Sequence, residues 1–490
     1  MTLSATYASV VQSTQKEIWV TSYGAVGNGS TNDTVDFQAA LTAATAANNG
    51  TVVRVPVGVY KVNASLLYGG NMSIIGDTGA IIQVISGTAL TTPVLCYSGW
   101  YNNSTSSGFP VYISDLAIDG NSATSGSGAH GLVGMNYWSA FERISISNVA
   151  GDGFRFSAYN RGGTHITNTC VEPKVRQIQV RNVGGDGIRV NDDGAVLNSC
   201  TDGFLEDCIV QNATLNAINI DMCPGWKVTG NHVYGSLLGG IQLNRCYATR
   251  VISNYVDGFA SSGSGTFGSG LSMTCLDGRA SSCIANTIGF ESSTSTGPNS
   301  GIVITGSGSN RTICEVAFNS VNGNSQSGSN GYVIQTNVSQ QTHPWIVYFH
   351  DNDAQNVNHY IYNDGYATGG DVQVAHHIAS VQYVAPTAAP GANAGTSPPA
   401  PVLTNCSDAD GKITFGTGSG TPAIGAQVVV TFNKPYATAP NVICQPINDA
   451  TSALRWNVTS TTTTFTYNVG VAPGVSQSNT VYGFSYHVMA

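Results

Sequence analysis

The chain has 490 residues, of which only 9% are charged, 41% are hydrophobic and 58 are glycine, with a formal net charge of −9. Eighteen Lys and Arg with no basic run exclude a nucleic-acid-binding surface, which needs clustered positive charge. Short β-branched runs between tight turns exclude a disordered chain, and no stretch reaches the ~18 consecutive apolar residues of a membrane-spanning helix.

Residues 1–17 read as an N-terminal extension without the apolar centre of a secretory signal. From Ile18 to Lys61 the text is Tyr23-Gly24-Ala25-Val26-Gly27-Asn28-Gly29, then Thr31-Asn32-Asp33-Thr34, a helix from about Val35 to Asn48, and Val55-Pro56-Val57-Gly58-Val59-Tyr60. Asp33 or Thr34 can cap the helix, whose apolar side is Phe37, Leu41 and Ala44. It would cover the open end of the first repeat.

Beyond it a glycine-led apolar/polar/apolar phrase recurs: Gly153-Phe154-Arg155-Phe156, Gly187-Ile188-Arg189-Val190, Ala217-Ile218-Asn219-Ile220, Gly240-Ile241-Gln242-Leu243, Gly270-Leu271-Ser272-Met273 and Gly301-Ile302-Val303-Ile304. Each copy follows a second short strand, whose turn aligns on Ile144, Ile178, Cys208, Asn231, Asn254, Asn286, Asn319 and Asn352, 23 to 34 residues apart. Strands in fixed order at such a period predict a solenoid, because one coil buries its apolar side only when the next stacks on it. The expected fold is all-β, a parallel β-helix over residues 18–383. The repeated Asn turns predict a buried amide ladder.

The eleven cysteines contain no Cys-x-x-Cys, and Cys208, Cys223, Cys246 and Cys275 fall at repeat positions, so they read as small buried hydrophobes. No metal or cofactor is expected. Residues 384–405, rich in Pro, Ala and Gly, read as a linker; alternating strands over 406–490 predict a small antiparallel β-sandwich for trimerisation or glycan binding.

The Ile18–Lys61 text resembles the entry motif of the pectate-lyase-like right-handed β-helix superfamily, which includes bacteriophage tailspike depolymerases. In that family the glycine loop usually carries aspartates where this chain has Asn28 and Asn32, so neither metal nor catalysis is placed there. Asp192-Asp193 matches one polygalacturonase-like element, Ala129-His130-Gly131 matches another in part, and Arg-x-Lys is missing; Arg54-Val55-Pro56 lacks the second arginine of the pectate-lyase motif. The resemblance implies a virion tail protein freed by host lysis, a homotrimer, contacts with other phage tail proteins, and a bacterial surface polysaccharide as partner.

Strand alternation puts Arg155, Arg189, Asn219, Gln242 and Ser272 in one outward row, and Ser157, Asn191, Asp221, Asn244 and Thr274 in the next. Two arginines and several amides in one strip suit a hydroxyl-rich polymer, with Tyr159 as a stacking platform or proton donor. Glycoside hydrolysis needs two carboxyl groups ~5 to ~9.5 Å apart, which neighbouring coils supply. Asp192 with Asp221 is the expected pair, Asp193 lies beside it, and Glu206 with Asp207 is the alternative. Asp152 and Asp186, each between glycines, are expected to bond turn backbone. Hydrolysis is the expected reaction; β-elimination on a uronate polymer, using the arginines with Tyr159 or a histidine, and non-catalytic adhesion are the alternatives.

Overall fold

A computed structural model describes residues 16–489 except 192–198, 223, 261–267, 276–279, 291–298, 307–312, 324–327, 337–345, 358, 365–370, 375–385, 405, 407, 409, 434, 437 and 474–481. The chain divides into two compact units, Met1–Ser380 and Val381–Ala490.

The first unit is a right-handed parallel β-helix. One coil runs through Ile188–Asn191, then Phe204–Glu206, a corner at Asp207 and Cys208, Ile209–Ala213, and on to Ile218–Asp221. Strands at equivalent places pair in parallel from coil to coil, so the solenoid has three walls. The wall holding the glycine-led phrase is an eleven-stranded sheet among the described residues, from Leu66–Tyr68 to His359–Asp364.

The leading glycine of that phrase has a packing cause. A Cβ on Gly187 would collide with Val210 on the adjoining wall and with the Ala217 carbonyl of the next coil. Behind it Ile188 and Val190 are fully buried, as are Ile218 and Ile220 one coil on. Each coil therefore contributes branched side chains to one continuous core, and its removal would expose the core of its neighbour.

The amide ladder forms as expected. The Asn231 N–H donates to Asn254 Oδ1 at 3.0 Å, Asn254 to Asn286 at 3.0 Å, Asn286 to Asn319 at 2.9 Å and Asn319 to Asn352 at 3.0 Å. Side-chain amides of the same residues bond in parallel, each at 2.9 Å. The ten described cysteines are buried and form no disulfide with one another, and Cys246 lies in register with Cys275; Cys223 falls outside the described residues.

At the N-terminal end the helix spans Thr34–Ala47 and buries Phe37, Ala40, Leu41 and Ala44. Asp33 takes the N-cap position as expected, its carbonyl accepting the Phe37 N–H at 2.8 Å, but its side chain makes no capping bond to the helix. Its carboxylate instead accepts the Val26 and Gly27 N–H groups at 2.6 and 3.2 Å and ties down the glycine loop.

The second unit contains two four-stranded antiparallel sheets. Phe415, Val428, Val430, Phe465, Tyr467 and Phe484 from both sheets share one core, with the Tyr467 and Phe484 rings stacked at 4.2 Å. The reading of 384–405 as a coreless connector needs correction. Thr387–Pro390 pairs with Gly425–Thr431, and Val402–Thr404 with Asp410–Phe415, each as the edge strand of its sheet. Proline is tolerated at an edge, where its missing N–H costs no ladder bond, and this is why a proline-rich text could hide two strands. Trp456–Ser460 is a further strand that the sequence reading did not resolve.

Candidate active-site groove

The expected outward row is present in full register. Arg155 pairs with Arg189, Arg189 with Asn219, Asn219 with Gln242 and Gln242 with Ser272. At ~4.8 Å per coil the row spans ~19 Å of the solenoid wall. In the second row Ser157, Asn191, Asp221 and Asn244 are in register, but a bulge after Leu243 breaks the continuation toward Thr274.

Exposure departs from simple alternation in that second row. Ser157 and Asn191 are buried, and Asn219 of the first row nearly so. The turns after these strands are long, and their short strands Cys170–Val171 and Cys200–Thr201 pair with one another beside the strand ends. Asn191 thus stands beneath the surface, while Asp221, Gln242 and Asn244 are partly open.

What holds the arginines was not foreseen as a unit. Just before the groove strands, His130, Asp152, Asp186 and Asn216 stack on successive coils. The Asp152 N–H donates to His130 Nδ1 at 2.9 Å, the Asp186 N–H to Asp152 Oδ1 at 3.0 Å, and the Asn216 N–H to Asp186 Oδ1 at 2.9 Å. The second oxygen of each aspartate faces its own strand. Arg155 Nη1 donates to Asp152 Oδ2 at 3.0 Å and Arg189 Nη1 to Asp186 Oδ2 at 3.2 Å, and Asn219 Nδ2 also reaches Asp186 Oδ2 at 2.9 Å. The expectation that these aspartates serve their own turns is replaced by a cross-coil ladder that grips the arginine row. The signal was in the sequence: Gly-Asp-Gly-x-Arg occurs twice, at 151–155 and 185–189.

Burial is nearly complete for both aspartates and for His130. Burial, and next the charge of Asp152, push the Asp186 carboxyl above its usual range, against the opposing pull of Asn216, Asn219 and Arg189. Burial and the charges of Arg155 and Arg189 lower His130 to about 3. The ring is therefore neutral at pH 7; accepting at Nδ1, it holds its proton on Nε2. Both arginine Nε atoms, and the Oδ1 atoms of Asn191 and Asn219, are buried and make no hydrogen bond among the described residues.

Asp221 ends its strand and accepts Arg245 Nη2 at 2.8 Å and Nε at 3.2 Å. Asp192 and Asp193 lie outside the described residues. Glu206 and Asp207 stand on another wall: Glu206 is bound by Arg176 at 2.7 Å, and Asp207 forms the corner with left-handed backbone, φ 55°. They do not join the arginine row. Tyr159 lies two residues beyond Ser157, where its ring meets His165 edge-on at 5.0 Å. Among the described residues no cluster of His, Cys, Asp and Glu is arranged to hold a metal ion.

Residues 18–255 match the family model described as rhamnogalacturonase A/epimerase, pectate lyase-like. Over that span the coils resemble those of the pectate-lyase-like type. The A-module of the mannuronan C-5 epimerase AlgE4 from Azotobacter vinelandii is similar in fold, with a TM-score of 0.51 at 18% identity over 73% of this chain and 100% of that one. The tailspike protein gp49 of Pseudomonas phage LKA1 gives 0.45 at 13% identity over 96% and 99%. The catalytic unit of an α-1,3-glucanase from Streptomyces thermodiastaticus gives 0.36 at 15% over 73% and 71%. No curated protein sequence matches.

Proposed function

We propose that this chain is a polysaccharide depolymerase of the phage tailspike kind, acting on a bacterial capsule, exopolysaccharide or O-antigen. One observation carries the reading: Arg155, Arg189, Asn219 and Gln242 form a registered row, with its first three members held from behind by buried carboxylates. A guanidinium fixed by one N–H keeps its other donors for sugar hydroxyls or carboxylates, and pre-fixing the side chain reduces the entropy lost on binding. Homotrimer assembly, contacts with other tail proteins and a place in the virion tail are parts of the same proposal.

The proposed reaction is hydrolysis. Asp221 supplies one carboxylate at the groove, oriented by Arg245, and Asp192 or Asp193 supplies the other. One carboxylic acid protonates the glycosidic oxygen as the bond breaks, and the other carboxylate attacks the anomeric carbon or activates water. A second reading rests on Tyr159, four residues beyond Arg155 and with its ring edge-on to His165: its phenol would serve as the proton donor of a β-elimination. Product analysis separates the two. Hydrolysis yields new reducing ends alone, whereas elimination also yields unsaturated ends that absorb in the ultraviolet, and loss of either signal in Asp221→Asn or Tyr159→Phe assigns the residue.

A further inference from the structure

The wall that follows the groove strands carries a second line of side chains that the depolymerase site does not use. Lys174, Phe204, Lys227 and Arg250 occupy one outward column on four consecutive coils, in register with one another. Lys227 and Arg250 are directly opposite, ~4.8 Å apart, and both are exposed. Like charges so placed repel and destabilise a sheet. The chain retains them although it has only 18 Lys and Arg in 490 residues. Lys227 is also fixed, its ammonium 4.3 Å above the Phe204 ring. The nearby Glu206 is already neutralised by Arg176, while Glu172 and Asp202 stand at coil corners beside Lys174 and Phe204; the coils of Lys227 and Arg250 have Gly225 and Ala248 at those corners.

At the N-terminal end of this line is an aromatic patch. Trp138 is 63% exposed and Phe109 54% exposed, linked through Tyr137 by edge-on contacts of 5.5 and 6.1 Å. Trp138 holds left-handed backbone, φ 50°, at a corner where the next coils place Glu172, Asp202, Gly225 and Ala248. A bulky residue in that conformation is uncommon, and its exposed indole gains no burial in return. From Trp138 to Arg250 the line spans four coil steps, ~19 Å along the solenoid axis.

We propose that this face is a second glycan-binding site, for an extended acidic polysaccharide lying along the solenoid: Trp138 and Phe109 stack sugar rings, Phe204 holds Lys227 in place, and Lys174, Lys227 and Arg250 take the carboxylates. Relief of the Lys227–Arg250 repulsion by an anion supplies part of the affinity, so binding weakens as salt rises. The site is separate from the arginine groove and stands whether or not the groove is catalytic.

The test is affinity electrophoresis of the full chain through gels containing polygalacturonate, with dextran as the neutral control and double-stranded DNA as a non-glycan polyanion. The expected result is retardation by polygalacturonate alone, with affinity falling at least about tenfold in Lys227→Ala/Arg250→Ala, by a smaller, salt-insensitive factor in Trp138→Ala, and unchanged in Arg181→Ala, which removes an exposed arginine from the neighbouring wall. Equal retardation of wild type and double variant would overturn the proposal, as would an equal loss in Arg181→Ala, equal binding of dextran, or equal binding of DNA. Analytical ultracentrifugation of the same proteins adds a further check: an oligomer that dissociates in the double variant assigns this face to contact between copies and also overturns it.

Discussion

Two ladders climb the same solenoid by the same kind of bond, a backbone N–H to a side-chain oxygen of the neighbouring coil, one coil on in the first and one coil back in the second, and they differ in what that side chain is. The amide ladder of Asn231, Asn254, Asn286, Asn319 and Asn352 is self-sufficient, since each amide both accepts from one neighbour and donates to another. The ladder of Asp152 and Asp186 is not, because an ionised carboxylate only accepts. Its spare oxygens must be met by donors from elsewhere, and they are met by Arg155, Arg189 and Asn219 of the groove. An all-amide ladder completes a corner; a carboxylate ladder fixes cations where a polymer can meet them. The burial of Asp152 and Asp186 is unfavourable for folding alone, and its return is the position of the arginines.

The comparison can be broken most sharply at the groove. Asp221→Asn should reduce depolymerisation by about a hundredfold or more, the scale of a lost acid, base or nucleophile, with little change in thermal unfolding. Asn286→Ala should do the reverse. It removes the acceptor for the N–H and the side-chain amide of Asn254 and the donor to the Val251 carbonyl, so unfolding in denaturant should show a loss of about 2–4 kcal/mol, with activity per folded molecule unchanged.

Asp186→Asn should lie between them. The amide can still accept the Asp152-type backbone bond from Asn216, so the fold should hold within about 1–2 kcal/mol, while Arg189 loses its charged partner and glycan affinity falls about tenfold. The pH dependence sharpens the contrast further. Because the folded-state value of Asp186 is raised, its contribution to stability is full below the ordinary carboxylate value of about 4 and is lost as pH rises above it; Asp186→Asn should remove that decline from a series of unfolding curves. His130 acts with the opposite sign. Lowered to about 3, it contributes stability above its ordinary value of about 6.5, lost as pH falls toward 3, and His130→Gln should flatten this acid-side loss, the smallest of the effects.

The fold was legible because its cause is periodic: the glycine phrase, the Asn column and the strand alternation all report the same stacking, and the register of the Arg155–Ser272 row follows from it. The site was legible in part. Alternation gives the direction of Arg189 but not the burial of Ser157 and Asn191. Asp186 was read as serving its own turn because a Gly-Asp-Gly text looks local, whereas its partners Asp152 and Asn216 are 34 and 30 residues away. Glu206 looked close to the groove along the chain, yet a corner of two residues separates one wall from the next and Arg176 already holds it. The proline-rich strands at 387–390 and 402–404 were hidden because an edge strand asks little of its sequence.

The most direct test of the central claim is to incubate wild type and Arg189→Ala with a panel of bacterial capsule and lipopolysaccharide preparations, following reducing ends and the ultraviolet absorbance of unsaturated ends together. The account predicts that wild type releases reducing ends from at least one polymer without that absorbance, and that Arg189→Ala releases them at least about tenfold more slowly. Equal cleavage by both proteins, or no cleavage of any polymer by wild type, would contradict it.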